Sequence, residues 1–406
     1  MSWLWHPLSF FPFGLGALLA WSIWMFRRTS AHRVEAIDSD FRTTVSVVVP
    51  VFSEDPGLLA ECLTTWLAEE PDELILVVDT GETLCRQMLS ARELPDSVNV
   101  IIYKHNGKRS ALGVGIRAAT CEIVVLCDSD TAWAPGLLTE VVKPFGDPAV
   151  GGVGTRQFAA ARDTSVWRRL ASWLIDIRFL DYTPALGKRG CVPVLSGRTA
   201  AYRRCAISDV LEQLEHEVFL GRECVAGDDG RLTWLVLSQG YTTVFQRSAH
   251  AVSMFPATFS GFTKQRVRWA RNSYRCYLTA AYKGWLWRQP LLSQITILQV
   301  LLTPLTMALA LGFLIAAVRE GSWAFAAVLV GWIVVGRAIR GLSHLQEQPR
   351  DLLLLPLVVL TVMYLALPVK IYAMVTMNRH GWLTRHAGQR GGEGQDRASL
   401  AGHAVA

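Results

Sequence analysis

No two cysteines in this sequence stand at the C-x-x-C spacing typical of zinc sites, although the chain contains eight of them. All eight fall between the apolar ends of the chain, so zinc is not predicted and a reducing compartment is the natural location. The sequence also lacks a strong charge imbalance, because a net charge of +6 is modest for 406 residues. That charge fits the positive flanks of membrane spans better than a nucleic-acid surface, so no nucleic-acid partner is expected.

The chain has too few polar residues for a wholly soluble protein: 51% are hydrophobic and the mean hydropathy is +0.27. The stretch 8–26 carries no charge, and Arg27, Arg28 and Arg33 follow it. A cleaved signal peptide carries its positive charge before the apolar run, so we predict a membrane span whose C-terminal end is cytoplasmic. Residues 1–39 form this span with its basic flank, and 40–285 form a cytoplasmic domain.

Three more apolar stretches follow the central region, and we predict C-terminal transmembrane helices over 286–378. They are Leu291–Val318, Trp323–Gly336 and Leu352–Met377. A polar tail over 379–406 is predicted to be disordered. Arginines in the last connection and in the tail indicate that both are cytoplasmic, which a single crossing by the last stretch would not allow. The topology of that stretch therefore stays open, in a multi-pass protein of the plasma membrane.

The middle region alternates short β-branched runs with helical stretches, which predicts a mostly parallel sheet covered on both faces. The predicted strands are Val45–Val51, Leu74–Val78, Val98–Tyr103 and Ile123–Cys127. The predicted helices between them are Pro56–Glu69, Glu82–Arg92 and Lys108–Ala119. Ligands of such sheets bind beyond the carboxyl ends of the strands.

Polar residues gather at these strand ends. The candidates there are Pro50 to Asp55, Asp79, Lys104 to Lys108, and Asp128-Ser129-Asp130. A turn after the fourth strand can aim both aspartates at one ligand, and Mg²⁺ is typically held by one or two carboxylates plus substrate phosphates. The alternative is a solvated turn. The runs Gly113-Val114-Gly115 and Gly151–Gly154 do not fit a dinucleotide fingerprint and are interpreted as packing and turn glycines.

Three later segments add candidate groups. Gly227-Asp228-Asp229 precedes a predicted helix over Leu232–Ser238, where the acids either cap the helix or face a ligand. Thr164–Tyr182 predicts an amphipathic helix that packs on the membrane interface or on the domain. Gln265, Arg268 and Trp269 share one helical face, as an interfacial anchor or as a ligand site for phosphate and sugar.

These motifs occur in the order found in the processive family 2 glycosyltransferases. Over residues 43–285 the chain resembles hyaluronan synthases and the related chitin oligosaccharide synthases most closely, above all in the run from Gly227 to Tyr241. A weaker similarity follows in Trp382-Leu383-Thr384-Arg385, which resembles a W-G-T-R motif of those enzymes. The resemblance implies a GT-A-like α/β domain inserted between transmembrane helices, and inverting transfer from a UDP-sugar.

The resemblance also implies roles for single residues. Asp229 would be the catalytic base with Asp228 as its neighbour. A metal ion on Asp130, Mg²⁺ or Mn²⁺, and the Arg268 guanidinium would neutralise the leaving diphosphate. The remaining substrate-binding residues implied by the motifs are Pro50, Glu54 and Asp79 for the uracil, Lys108 and Asp128 for the ribose-phosphate side, Ser196, Gly197 and Trp269 for the acceptor, Trp382 and Arg385 near the nucleotide, and Lys104 and Gln265 without a specified partner.

The expected product is a β-linked polysaccharide of the hyaluronan type, made from UDP-GlcNAc and UDP-GlcA and exported through the bilayer. The alternative within enzymes is a chitin oligosaccharide made from UDP-GlcNAc. A third alternative is a transporter or receptor with a degenerate nucleotide-sugar domain. Arg198 stands where hyaluronan synthases generally have proline, which leaves the identity of the acceptor open. Gln294, Gln299 and Thr303 are candidates for lining a polymer passage or for helix–helix hydrogen bonds.

Overall fold

The computed structural model describes residues 21, 24–28, 34–104 and 106–379, and an eight-stranded sheet forms its centre. The strands are β1 Val45–Val51, β2 Glu73–Asp79, β3 Val98–Tyr103, β4 Ile123–Cys127, β5 Thr131–Trp133, β6 Val150–Ala159, β7 Thr199–Arg203 and β10 Thr242–Ser253. A separate two-stranded hairpin joins β8 Val218–Phe219 to β9 Arg222–Glu223. In the large sheet the order is β3-β2-β1-β4-β7-β6-β10-β5.

Helices cover both faces of the sheet and continue into the apolar C-terminal region. Those of the first half are α1 Pro56–Leu67, α2 Thr83–Ser90, α3 Lys108–Ala118, α4 Leu137–Val142, α5 Val166–Asp176 and α6 Thr183–Gly187. Those that follow up to the apolar region are α7 Arg204–Ser208, α8 Leu211–Glu215, α9 Asp228–Ser238 and α10 Phe259–Tyr282. The last are α11 Leu291–Arg319, α12 Trp323–Arg340, α13 Leu342–Glu347, α14 Leu355–Leu360 and α15 Leu367–Val375.

The first half of the sheet is parallel, as the alternation of strand and helix predicts. β1 pairs in parallel with β2 and with β4, and β2 pairs in parallel with β3. All seven residues of β1 are buried, because α1 and α3 cover opposite faces of the sheet. The carboxyl ends of β1, β2 and β4 therefore open on the same edge.

The second half of the sheet is mixed, and its strands were not predicted from the sequence. β7 runs antiparallel to both β4 and β6, while β10 pairs in parallel with β6. Gly151–Gly154 lie inside β6, so the interpretation of these residues as turn glycines is wrong. Their packing role is confirmed at Gly152, where a Cβ would lie 2.6 Å from Leu195 Cδ1.

The predicted amphipathic helix packs against the core of the sheet domain. α5 buries Leu170 and Trp173 in the same cluster as residues of β4 and β7. After Asp176 the helix widens into a π-turn over Ile177–Tyr182 and continues as α6. Such π-turns re-aim side chains and often occur at functional sites.

Three helices in the described part of the chain are long and apolar enough to cross a membrane. They are Leu291–Arg319, Trp323–Arg340 and Pro349–Val375. Of the predicted N-terminal span, residues 24–28 are helical, and most of the stretch lies outside the described residues. Trp382, Arg385 and the predicted disordered tail also lie outside them.

The last of these helices contacts the sheet domain at both of its ends. At its start, Asp351 accepts hydrogen bonds from Arg162 and Arg169, which flank the beginning of α5. Just beyond its end, Thr376 Oγ1 accepts a hydrogen bond of 3.0 Å from Arg271 in α10. The chain thus returns to the domain after this helix.

Candidate active site

One cavity of about 1460 Å³ opens at the carboxyl edge of the parallel strands and extends to the membrane-type helix α11. A pocket for one drug-sized ligand measures roughly 300–1,000 Å³, so this cavity has room for a donor and an acceptor together. Twelve residues selected from the sequence line it: Pro50, Glu54, Lys108, Asp128, Asp130, Ser196, Gly197, Asp228, Asp229, Gln265, Arg268 and Trp269.

Two of the selected residues stand apart from this lining. Asp79 is almost buried at the end of β2, where its Oδ1 accepts a 2.8 Å hydrogen bond from the backbone of Gly81, a lining residue. Lys104 is exposed after β3 and does not contribute to the cavity wall. The structure therefore places Asp79 beside the predicted nucleotide site, and Lys104 outside it.

The loop after β1 is bound to its two neighbouring loops. Ser129 donates a hydrogen bond to the carboxylate of Glu54. The Glu82 carboxylate accepts a 2.6 Å bond from the backbone of Ser53, whose φ of 52° is left-handed. Glu54 and Glu82 thus tie together the carboxyl ends of β1, β2 and β4, and they shape the end of the cavity where the uracil is expected.

The turn after β4 brings both aspartates of the D-x-D motif to the cavity. The Thr131 N–H donates to the carbonyl of Asp128 at 3.1 Å, which closes the turn, and Asp128 and Asp130 both line the cavity. The described residues include no group of three His, Cys, Asp or Glu side chains that could hold a metal ion. The oxygens of the Asp130 carboxylate are hard donors of the kind that Mg²⁺ or Mn²⁺ prefers, and substrate phosphates would complete such a shell.

Lys108 joins the two acidic motifs of the cavity. It is the first residue of α3, and its Nζ lies 2.6 Å from Asp128 Oδ1 and 2.9 Å from Asp228 Oδ2. Burial lowers the pKa of Lys108, but the charges of Asp128 and Asp228 outweigh burial and raise it overall. Lys108 is therefore a fixed cation between the D-x-D turn and the start of α9.

The two acids at the start of α9 have pKa values shifted in opposite directions. Burial acts against the charge of Asp228, but Lys108 outweighs it and lowers the pKa of this carboxyl. Burial, and after it the charge of Asp228, raises the pKa of Asp229. Gly227 occupies the N-cap with a φ of 82°, and Asp229 Oδ1 accepts a 2.8 Å hydrogen bond from the Gly230 N–H in the first helical turn. A carboxyl with a lowered pKa beside one with a raised pKa suits a catalytic base and its neighbour.

Arg109 holds the loop that carries these acids, a role that the sequence did not indicate. Its Nη2 donates to the carbonyls of Ala226 and Gly227, each at 3.1 Å. Its Nη1 lies 2.7 Å from Glu217, which in turn pairs with Arg231 at 3.2 Å. Arg109 and Glu217 are 108 positions apart, so only the fold reveals the pair.

The helix α10 presents Gln265, Arg268 and Trp269 to the cavity, as their shared helical face predicts. Gln265 Oε1 and Arg268 Nε are buried, and neither has a hydrogen-bond partner among the described residues. A buried polar atom without a partner is unfavourable, so these two atoms favour a polar ligand in the cavity. The Trp269 ring has the Arg266 guanidinium 4.7 Å from its centroid and meets Phe255 edge-on.

Gly197 lies in the tightest part of the site. A Cβ at this position would be 3.0 Å from Lys108 Nζ and 3.4 Å from Asp228 Oδ2, so a side chain there would press on the bridging cation. Its neighbour Ser196 donates a 3.1 Å hydrogen bond to Gln157. The Ser196-Gly197 segment therefore forms the part of the cavity wall that faces Asp228 and Asp229.

The curled mixed sheet with acids at its parallel edge is a GT-A-like fold. A model of the family described as "Glycosyltransferase like family 2" matches residues 42–272, which is more than half of the chain. The chain belongs to this family and is a glycosyltransferase.

Named relatives match along most of the chain. An N-acetylglucosaminyltransferase of Rhizobium leguminosarum bv. viciae is 30% identical over 381 residues, covering 88% of this chain and 86% of the relative. One of Rhizobium meliloti (strain 1021) is 28% identical over 379 residues, covering 88% and 85%. Among solved structures, a mannosyltransferase of Pyrobaculum calidifontis in complex with GDP-Man and Mn²⁺ aligns with a TM-score of 0.62 at 23% identity. That alignment covers 91% of this chain and 96% of the neighbour, and it supports the fold.

Proposed function

We propose that this enzyme is a membrane-embedded, inverting N-acetylglucosaminyltransferase that extends a β-linked chitin-type oligosaccharide with GlcNAc from UDP-GlcNAc. The observation that carries the proposal is the bridge of Lys108 between Asp128 and Asp228. It places the acids expected to face the donor beside those expected to face the acceptor, in one cavity. The names of the relatives favour GlcNAc over the hyaluronan product expected from the motifs, and hyaluronan becomes an outcome of the test.

The chemistry follows from the arrangement of the acids. The acceptor hydroxyl oxygen forms a bond to the anomeric carbon of the donor from the side opposite the diphosphate. The bond from that carbon to the β-phosphate oxygen breaks, and UDP leaves with the electron pair. Asp229 takes the proton of the hydroxyl, and its raised pKa makes it a stronger base than an ordinary carboxylate.

Charge on the leaving diphosphate has to be neutralised. Arg268 has a buried Nε without a partner among the described residues, and a phosphate oxygen would satisfy it. A divalent cation, Mg²⁺ or Mn²⁺, would supply further neutralisation when bound, and Asp130 is the residue that would hold it. Asp128 is less suited to the metal because Lys108 already pairs with it.

The acceptor side is formed by Ser196, Gly197, Gln265 and Trp269, with Trp269 offering a ring to a sugar face. The cavity reaches Thr296 and Val300 of the apolar helix α11, so a growing chain would leave towards the membrane. Gln294, Gln299 and Thr303 do not line the cavity: Gln294 donates to the carbonyls of Trp287 and Gln289, and Thr303 donates to that of Gln299. We place the catalytic domain in the cytoplasm, where nucleotide sugars are made, with α11 and α12 crossing the plasma membrane.

The test uses membranes containing the full-length enzyme. They are given UDP-GlcNAc, UDP-GlcA, UDP-glucose and UDP-galactose singly and in pairs, each with Mg²⁺, Mn²⁺ or EDTA, and the products are sized. A chitinase-sensitive oligomer from UDP-GlcNAc alone supports the proposal. A requirement for both UDP-GlcNAc and UDP-GlcA with a hyaluronidase-sensitive product replaces it with hyaluronan synthesis. A single sugar added to lipid shows that the enzyme does not extend chains.

A further inference from the structure

Arg198 is bound to the D-x-D turn through its backbone. It lies immediately before β7, the strand antiparallel to β4, and its carbonyl accepts a 3.2 Å hydrogen bond from the Asp128 N–H. This hydrogen bond holds the backbone of Arg198 beside the D-x-D turn. The residue lines the large cavity between the two acidic motifs and α10.

The guanidinium of Arg198 packs against two aromatic rings. Its Cζ is 4.1 Å from the centroid of the Phe255 ring and 5.4 Å from that of Trp269. Cation–π contacts of this kind attract the group to the ring faces and use none of its N–H donors. The guanidinium forms neither a hydrogen bond nor an ion pair with any residue in the described ranges. Arg198 therefore does not stabilise the fold through an ion pair.

The charges around Arg198 are arranged for a further anion. Burial lowers the pKa of Arg198, and the negative charges of Asp130 and Asp128 oppose this effect. Arg268 and Arg178 act on it as like charges and lower the pKa further, so three guanidiniums share this part of the cavity. Like charges in a partly desolvated cavity repel one another, and an anion placed between them relieves the repulsion.

The diphosphate of the donor is the anion that fits this position. It must lie beside Asp130, where the metal would be held, and beside Arg268, the expected phosphate ligand. A planar guanidinium presents two parallel N–H groups to phosphate oxygens, and that of Arg198 packs 4.1 Å from the centroid of the Phe255 ring. A neutral acceptor sugar would give this cation no counter-charge.

We propose that Arg198 is a second guanidinium ligand of the nucleotide-sugar diphosphate, on the β-phosphate and beside Arg268. This inference rests on the proposed use of a UDP-sugar. In this role Arg198 stabilises the UDP that leaves as the glycosidic bond forms. The proline expected at this position from the resemblance offers no such charge, so this part of the donor site differs from the expected pattern.

The experiment measures the binding of UDP, UMP and uridine to the purified full-length enzyme in detergent, by calorimetry, with and without Mg²⁺. The variants are Arg198→Gln, Arg198→Lys and the control Arg189→Gln, which removes the same charge from an exposed position. For Arg198→Gln we expect UDP affinity to fall about 10- to 100-fold, the range of a hydrogen bond to a charged group. UMP and uridine should bind as in the wild type, because they lack the β-phosphate. Arg198→Lys should show a smaller loss of UDP affinity.

Equal losses for UDP and UMP, or unchanged UDP binding, would overturn the assignment. If Arg198→Gln does not fold, the affinities for UDP and UMP are compared in Arg198→Lys instead. A ratio of UDP to UMP affinity equal to that of the wild type then overturns the assignment. The measurement needs no turnover. If the wild-type enzyme does not transfer GlcNAc, only the proposed function is wrong. The role of Arg198 is decided separately, by the comparison of UDP and UMP binding.

Discussion

Lys108 and Asp228 form an ion pair of 2.9 Å inside the cavity, and the same ammonium also reaches Asp128 at 2.6 Å. Lys108→Met would leave both carboxylates without this cation, and losing one partner of a buried pair costs roughly 3–5 kcal/mol. We expect a lower thermal unfolding temperature and a strong loss of turnover. Lys188→Met, at an exposed position, is the control. An unfolding temperature equal to that of the control would show that the bridge is not structural.

Asp229→Asn should lower turnover by ~10²–10⁴, the usual contribution of a general base, and leave UDP binding largely intact. Asn keeps the shape of the side chain, including an oxygen for the Gly230 N–H that Asp229 accepts at 2.8 Å. The measurements are initial rates and UDP affinity, with Asp209→Asn as the exposed control. Near-normal turnover would remove Asp229 from the mechanism.

The activity should fall on the acid side at a pH above the ordinary aspartate value of 3.8, because the pKa of Asp229 is raised by burial and by the charge of Asp228. A base works when deprotonated, so activity is lost as pH falls through this raised pKa. Asp228→Asn removes one negative charge and should lower the pKa of Asp229. The acid limb of the profile of kcat/KM against pH then moves to lower pH, whatever happens to the maximum rate. A limb that stays fixed or moves to higher pH would contradict the assignment.

His344 in α13 contacts two buried carboxylates and so holds the C-terminal segment against the domain. Its Nδ1 lies 2.7 Å from Asp176 and its Nε2 lies 2.8 Å from Asp351, and the ring is fully buried against Trp173. We expect His344→Ala to destabilise the protein by roughly 3–5 kcal/mol, since both buried carboxylates lose a partner. Thermal unfolding and proteolysis between α12 and α14 measure the effect. The exposed His216→Ala should leave both unchanged, and equal behaviour of the two variants would refute the role.

The end of the described chain should lie on the same side of the membrane as the catalytic domain. Arg271 donates to Thr376, and Arg275 donates to the carbonyl of Met377 at 3.2 Å, from the helix that lines the cavity. A cysteine at Arg379 should therefore react with a membrane-impermeant maleimide in the same vesicle orientation as Cys205, the exposed native cysteine. Cys205→Ser supplies the background for that variant. Labelling only from the opposite face would mean that Pro349–Val375 crosses the membrane.

The sequence was sufficient for the parallel half of the sheet because its strands are short β-branched runs. Val45–Val51, Val98–Tyr103 and Ile123–Cys127 have the predicted bounds. β6 was missed because its three glycines resemble a turn, and β10 because its polar residues break the apolar pattern. Both strands are fixed by contacts made across the sheet, which local preference does not encode.

The candidate site was predictable where a motif stands at a strand end or on one helix face. Asp128 and Asp130 follow β4, and Gln265 and Arg268 share a face of α10. The supporting residues were not predictable, since Arg109 supports the loop before Asp228 through partners more than a hundred positions away. The bridge made by Lys108 likewise joins segments that the sequence keeps far apart.

Because one ammonium pairs with both acidic motifs, nucleotide binding at the proposed donor site and the proton affinity of Asp229, the proposed base, would be thermodynamically linked. A nucleotide whose phosphates attract Lys108 leaves Asp228 less neutralised, and Asp229 then holds a proton more tightly. By reciprocity, a proton on Asp229 strengthens nucleotide binding by the same factor. The enzyme would therefore acquire its strongest base only after the donor has bound, which favours an ordered cycle and limits wasteful hydrolysis of free nucleotide sugar.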